Sequence, residues 1–234
     1  MNVPGSAIAR AAGQGLFTRA GTEVGVASTK AFVTQVACFL FLALYLGQKN
    51  GLDYRKYREI IDAITKLPEA ISSILLSNEA IRKVAEKYAD SKNFFYLGRA
   101  HELVIAMEGS LKLKELAYIH SEAYSSGELK HGSIALIDSD FPSLMINGGG
   151  ILSPKNASSA EEIRARGGNV IGIIAKNDPN KQVYADVIEF DPLISELNPF
   201  LEVVILQLFA YHIANSLGRD VDKPRNLAKS VTVE

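Results

Sequence analysis

Apolar positions along the chain follow two rhythms. Up to about residue 88 they favour helices. Asn2-Val3 reads as the tail of a strand, and Pro4-Gly5-Ser6 turns into a short helical pattern over 7–12. Residues 15–21 read as a short strand entering a turn. Ser28 and Thr29 offer hydroxyl caps for a long helix over 30–46, with Gly47 near its end. Gly51-Leu52-Asp53 starts a second helix, in which Tyr57, Ile60, Ile61 and Ile64 recur at helical spacing. Pro68 predicts a break, and helical patterns resume over 71–76 and 78–88.

From Asn93 compact apolar runs alternate with helical patterns. Strands are expected at 94–97, 143–146, 169–174 and 187–190. Helices are expected at 102–118, 161–166 and 199–217. Continuous apolar strands alternating with helices imply a parallel sheet covered on both faces. Gly148-Gly149-Gly150 lacks the lysine and Ser/Thr of a phosphate loop and reads as a flexible turn. The helix-rich stretch before this region holds the expected boundary between two units.

Composition narrows the field. Hydrophobic residues make up 47% of the 234 and charged residues 22%, enough for a globular core. A formal net charge of −1, with no basic run, gives no general attraction to nucleic acid or membrane. Residues 31–46 are apolar enough to raise the membrane question. Thr34 and Gln35 interrupt them, and they fall short of the roughly 20 residues of a spanning helix. The expectation is a buried core helix. The single cysteine, Cys38, lies between Ala37 and Phe39 and reads as a buried thiol. The first residues show no signal-peptide pattern, so a cytoplasmic location is expected.

Chemistry concentrates between Glu108 and Gly132. Glu108, Lys112 and Glu115 stand at i, i+4 and i+7 and share a helix face. By composition alone they form a solvated charge ladder. The run Tyr118-Ile119-His120-Ser121-Glu122-Ala123-Tyr124 and the glycine-bracketed Gly127-Glu128-Leu129-Lys130-His131-Gly132 add a polar loop beside that helix end. His131 is the loop histidine near other candidates, placed for proton transfer. His212 reads as a packed core or rim residue, His101 begins a helix, and His120 satisfies a hydrogen bond. No spacing suits a metal. The tail, 220–234, reads as a frayed terminus when taken without context.

These stretches resemble a known family. Glu108-Gly109-Ser110-Leu111-Lys112-Leu113-Lys114-Glu115, Ser121-Glu122-Ala123-Tyr124 and Gly127-Glu128-Leu129-Lys130-His131-Gly132 look like the isomerase half of the glucosamine-6-phosphate synthase (glutamine–fructose-6-phosphate aminotransferase) family. So do Ala20-Gly21-Thr22-Glu23-Val24-Gly25-Val26-Ala27-Ser28-Thr29-Lys30 and Pro224-Arg225-Asn226-Leu227-Ala228-Lys229-Ser230-Val231-Thr232-Val233-Glu234. The motifs lie in order across nearly the whole chain.

The resemblance implies sugar-isomerase (SIS) subdomains, each a flavodoxin-like parallel sheet sandwiched by helices. One is complete at 77–218, the last part of another occupies 1–76, and 219–234 is an active-site tail. The family's upstream phosphate-binding loops and its glutaminase domain are absent, so a truncated portion is expected. Carried over by motif, Glu115 resembles the base that moves a proton between C1 and C2 of fructose 6-phosphate. Lys112 resembles a helper that steadies enediolate charge or shuttles a proton. His131 resembles a ring-opening acid/base reaching into the neighbouring subunit of a homodimer. Lys229 resembles the tail lysine linked to ring opening or to an imine with the ketose. Val26, Ala27, Ser28 and Ala228 resemble sugar-contacting positions that align the substrate. No cofactor is implied, because nitrogen comes from glutamine-derived ammonia. Two other readings stand beside this one: a non-catalytic SIS module that senses a phosphosugar, and a dimerisation scaffold built on the apolar helices.

Overall fold

The computed structural model describes residues 1–229. Helices α1 (Ala7–Ala12), α2 (Lys30–Lys49), α3 (Tyr54–Leu76) and α4 (Asn78–Lys87) lead into a β/α run. This comprises β1 (Asn93–Gly98), α5 (His101–Ala117), β2 (His120–Ser125), β3 (Ser143–Asn147), α6 (Ser153–Arg164), β4 (Val170–Ala175), β5 (Asp186–Phe190) and α7 (Asn198–Ser216). Short 3-10 turns cover Leu129–His131, Ser133–Leu136 and Lys181–Val183. The strands pair in parallel in the order β2-β1-β3-β4-β5. The expected helix-sandwiched parallel sheet is present, and its order reverses between β1 and β3.

Alternation along the strands divides the core in two. Phe94, Tyr96, Leu144, Ile146, Ile171 and Ile173 point to one face, where Leu113, Leu206 and Phe209 of α5 and α7 cover them. Phe95, Leu97, Met145, Val170 and Ile174 point to the other, against Ala157, Ala160 and Ile163 of α6. Both faces of the inner strands are apolar, which is why they read as unbroken hydrophobic runs.

Several expectations need correction. The polar run 120–125 is an edge strand, β2, which among the described residues pairs with β1 alone. Its half-buried side chains hide the strand signal. Helix α6 starts at Ser153, eight positions before the expected start, with Pro154 in its first turn. Its buried face is built from Asn156, Ala157, Ser159 and Ala160, which leave no apolar periodicity. Pro68 does not break α3: it lies on the exposed side of a continuous 23-residue helix, where the carbonyl one turn earlier can take water. Asn2-Val3 and 15–21 form no strand. They are tied by single bonds such as Thr18 N–H to the Met1 carbonyl at 2.8 Å.

Helix α2 is not a buried core helix. Only Leu44 of its twenty residues is buried, although its length and composition would suffice to cross a membrane. One flank, with Val33, Val36, Ala37 and Leu40, packs towards Ala63, Leu197 and Phe200. Phe39, Phe41, Leu42, Tyr45 and Leu46 are exposed. Cys38 is accordingly half-buried.

Gly172 sits in the middle of β4 under the ring of Tyr184, where an added Cβ would lie 2.6 Å from Cγ of that ring. Gly172→Val raises strand propensity yet displaces a buried aromatic ring. We expect a net loss of about 1–3 kcal/mol, read as a lower denaturation midpoint. An unchanged or raised midpoint would show that Tyr184 is free to move.

Candidate active site

Helix α5 carries a buried ion-pair triad. Lys112 is 2% exposed, and its Nζ lies 2.5 Å from Glu115 Oε2 and 3.5 Å from Glu108 Oε1. A buried ammonium is tolerated only with opposite charge beside it, and the i+3 and i−4 positions place one carboxylate on each side. Burial raises the Glu108 carboxyl above its ordinary range; Lys112 opposes the rise and Glu115 adds to it. Hydroxyl exchange between Ser110 and Ser121 fastens this helix to β2: Ser121 Oγ donates to the Ser110 carbonyl at 2.9 Å. The expected solvated ladder is therefore a desolvated cluster. Glu115 is its outermost member. It opens on a cavity of about 430 Å³ shared with Tyr118, His120, Arg225 and Leu227.

The C-terminal segment is fastened over this end of α5. Tyr118 ends the helix in a left-handed conformation, φ 62°. Its hydroxyl accepts the Arg225 N–H at 2.8 Å, and the guanidinium groups of Arg225 and Arg219 sit 4.4 and 5.2 Å from its ring centroid. Further along, Lys229 Nζ donates to Glu23 Oε2 at 2.8 Å and to the Gly25 carbonyl at 2.7 Å. The other Glu23 oxygen accepts the Thr29 and Ala31 amides at 2.8 and 3.2 Å, so it is Glu23 that caps α2, in place of the expected hydroxyls. Burial alone would raise the Glu23 carboxyl, but Lys229 and these amides outweigh it and hold its pKa at about 2. The Val26 amide donates to the Asp222 carbonyl at 3.0 Å, closing loop 22–28 onto the tail.

The predicted site residues thus fall into two groups and one outlier. Glu115 and Lys112 lie together on α5. Lys229 meets the loop that holds Val26, Ala27 and Ser28, of which Ala27 is buried. A cavity of about 360 Å³ joins Glu23, Gly25 and Ala27 to Leu116, the neighbour of Glu115. Ala228 is exposed beside Lys229, and the remaining tail motif, 230–234, lies outside the described residues. His131 stands apart, exposed at the end of the 3-10 turn that follows β2. Glu115 precedes the start of β2 and His131 follows its end. Six strand residues separate the two levels by roughly 20 Å.

The other histidines are structural or peripheral. His212 Nε2 lies 2.6 Å from Asn78 Oδ1, and His120 Nδ1 lies 3.2 Å from Asn93 Oδ1. Among the described residues no group of three His, Cys, Asp or Glu side chains could hold a metal. Glu23 and Tyr118 were present in the motifs but not singled out. Their partners lie 206 and 107 positions away, a separation that no local pattern carries.

A second buried acidic pair lies at the opposite sheet edge. Glu102 accepts Asn156 Nδ2 at 2.7 Å and the Gly148 amide at 3.1 Å, while burial raises its pKa to about 6. Glu202 is fully buried, and burial, with Glu102 nearby, raises its carboxyl well above the usual range.

Comparison with known proteins places this geometry. Residues 87–216 match the SIS domain family. The whole chain is 46% identical to a glutamine–fructose-6-phosphate aminotransferase [isomerizing] of Clostridium perfringens and 45% identical to that of Escherichia coli K12. It spans only 39% and 38% of their lengths. Among solved structures it is similar to the C-terminal domain of glucosamine-fructose-6-phosphate aminotransferase from Francisella tularensis. That likeness has a TM-score of 0.91 at 36% identity and covers 95% of this chain and 64% of that one. The parallel sheet and the similarity along this chain agree: the chain belongs to the SIS domain family.

Proposed function

We propose that this chain is the isomerase portion of a glutamine–fructose-6-phosphate aminotransferase. It would convert fructose 6-phosphate and glutamine-derived ammonia to glucosamine 6-phosphate for amino-sugar synthesis in the cytoplasm. The observation that carries the reading is the Glu108–Lys112–Glu115 triad opening on a cavity roofed by the C-terminal segment. The 45–46% identity to such enzymes supports it. Residues 1–76 are the last part of one SIS subdomain, 77–218 are a second, complete one, and 219–234 is the active-site tail. A glutaminase domain would supply the ammonia. No cofactor, metal, nucleic acid or membrane enters this reading.

Glu115 is the proton carrier between C1 and C2 of the opened sugar. One carboxylate held on a rigid helix can reach both carbons. Lys112 lies 2.5 Å from it and offsets the negative charge that develops on the enediolate oxygen. Val26, Ala27, Ser28 and Ala228 align the sugar beside Lys229. Lys229 acts in ring opening or forms an imine at C2 with loss of water. For the imine the Glu23 pair must open and the ammonium must give up a proton to solvent, because only the neutral amine attacks the ketone. The separation of His131 from Glu115 across the sheet supports a homodimer in which His131 completes the neighbouring site.

Glu115→Gln should lower conversion of fructose 6-phosphate to glucose 6-phosphate by roughly 10²–10⁴-fold, with the fold intact by circular dichroism. Turnover equal to the parent would remove Glu115 from the mechanism. Mixed dimers test the shared site: Glu115→Gln and His131→Ala chains, each inactive alone, should regain roughly a quarter of parental activity on random mixing. No recovery would place His131 in its own subunit's site. Glu23 has its pKa depressed by folding, so its pair with Lys229 is complete above about pH 4.5 and is lost as pH falls towards 2. Hydrogen exchange in the tail should rise over that window, and at neutral pH in Glu23→Gln. Equal protection in both proteins at pH 7 would mean that the ion pair does not hold the tail.

A further inference from the structure

Two buried carboxyls close on one glycine. Glu102 lies in the first turn of α5, Glu202 lies near the start of α7, and both face Gly148, which follows β3. Glu102 Oε1 accepts the Gly148 amide at 3.1 Å, and Asn198 Nδ2 donates to the Gly148 carbonyl at 2.9 Å. Glu202 Oε1 occupies the space that a Cβ on this residue would need. Gly148 is thus gripped at its N–H, its carbonyl and its Cα, and the turn from β3 into α6 is held against the starts of α5 and α7.

The two acids are unequally served. Glu102 accepts Asn156 Nδ2 at 2.7 Å as well as the Gly148 amide, and Arg99 acts on it. Glu202 is fully buried, and neither of its oxygens has a hydrogen-bond partner among the described residues. A carboxylate so placed is an unpaired buried charge, far costlier than a neutral carboxyl of the same shape.

The surroundings of Glu202 offer no compensating cation. From α5 it faces Glu102, another acid, and Arg99 acts on Glu102 but not on Glu202. His101 is exposed and feels Glu196 instead. Asp178 stands a link further away, accepting Asn147 Nδ2 and Ser153 Oγ at 3.2 Å each, and the Tyr184 hydroxyl accepts the same Asn147 amide at 3.0 Å. Helices α3 and α4 reach the α7 core with apolar side chains such as Leu67, Ile74 and Ile81. His212 is on α7 itself, about 15 Å further along the axis.

We propose that Glu202 enters the fold as the neutral acid and shares its proton with Glu102, which makes the grip on Gly148 a pH-sensitive switch that loosens the β3–α6 turn when the proton leaves. In the closed state the pair carries one negative charge, which the donors at Glu102 balance. Loss of the proton to solvent puts two anions against Gly148 with donors for only one, so Glu202 must move or admit water. Burial raises both carboxyls above the ordinary 4.5, Glu102 to about 6 and Glu202, with Glu102 beside it, well beyond the usual range. The folded protein therefore keeps a proton that the unfolded chain releases. Its stabilising effect is complete below about pH 4.5 and is lost as pH rises through the folded values. The switch stands on these buried groups and does not depend on the proposed reaction.

Urea denaturation of the whole chain and of Glu202→Gln, from about pH 5 to about pH 9, tests the proton. Glutamine keeps the size of the acid and cannot ionise. The folding constant of the parent should fall relative to that of the variant by up to about tenfold per pH unit, the slope of one linked proton. Parallel profiles would show that Glu202 brings no proton into the fold and overturn the proposal. Hydrogen exchange tests the grip. Protection of the Gly148 amide, relative to that of Ile173 in β4, should drop over the same range in the parent and stay level in Glu202→Gln. A constant ratio in the parent overturns the switch even where the proton is present. If Glu202→Gln does not fold, that ratio in the parent alone decides between the two outcomes.

Discussion

A lysine that is 2% exposed needs carboxylates within reach, and Lys112 has them only because α5 stays helical from His101 to Ala117. Helical spacing brings Glu108 from the turn before and Glu115 from the turn after. Removing either would leave a buried charge short of compensation, a loss of the kind that costs several kcal/mol. Such a cluster is expensive to keep if stability is its only service, because well-packed apolar residues serve as well or better. The same arrangement gives Glu115 a fixed bearing on the cavity, since its neighbour Lys112 cannot swing away into solvent. Position on a rigid helix and charge balance come from one constraint.

The two edges of the sheet divide the labour. At the N-terminal edge of the strands, α5 ends at Tyr118 and the tail crosses it, held by ring and guanidinium contacts and by the Lys229–Glu23 pair. At the C-terminal edge lie Arg99, Lys130, His131 and Lys155, with the Glu102–Glu202 pair behind them. Strand length alone keeps these groups apart within one chain. A reaction that needs both edges must draw the second from another copy, whereas a ligand that needs only one can be bound by a single chain.

Much of the β/α half was legible because its inner strands are buried on both faces and its long helices are apolar. Phe94 to Leu97 and Val170 to Ile174 could hardly be anything but central strands. Legibility failed where burial is partial or polar. β2 is an edge strand of polar residues, and α6 buries small and polar side chains. The length and apolar character of α2 suggested a core, but the described residues cover only one flank of it. Motif resemblance singled out Glu115, Lys112, Lys229 and His131 as candidates, yet it could not show which are neighbours. Glu23 illustrates the gap: a lone acidic residue in a loop gains meaning only from a lysine at the far end of the sequence.

That distant pairing has a mechanical consequence. Glu23 binds three donors at once: the Lys229 ammonium and the Thr29 and Ala31 amides at the start of α2. Release of Lys229 leaves the two amides in place, so the loop and α2 keep their cap while the tail moves. The Tyr118 contact with Arg225 fixes the tail four residues upstream and limits how far Lys229 can travel. A short tether with one breakable end keeps the amine close to the Glu115 cavity in both states. Because the carboxylate stays ionised down to about pH 2, near neutrality the tether opens when something else competes for the lysine or for Glu23, and not by titration of Glu23. Under the proposed function, that competitor is a sugar entering between loop 22–28 and the tail.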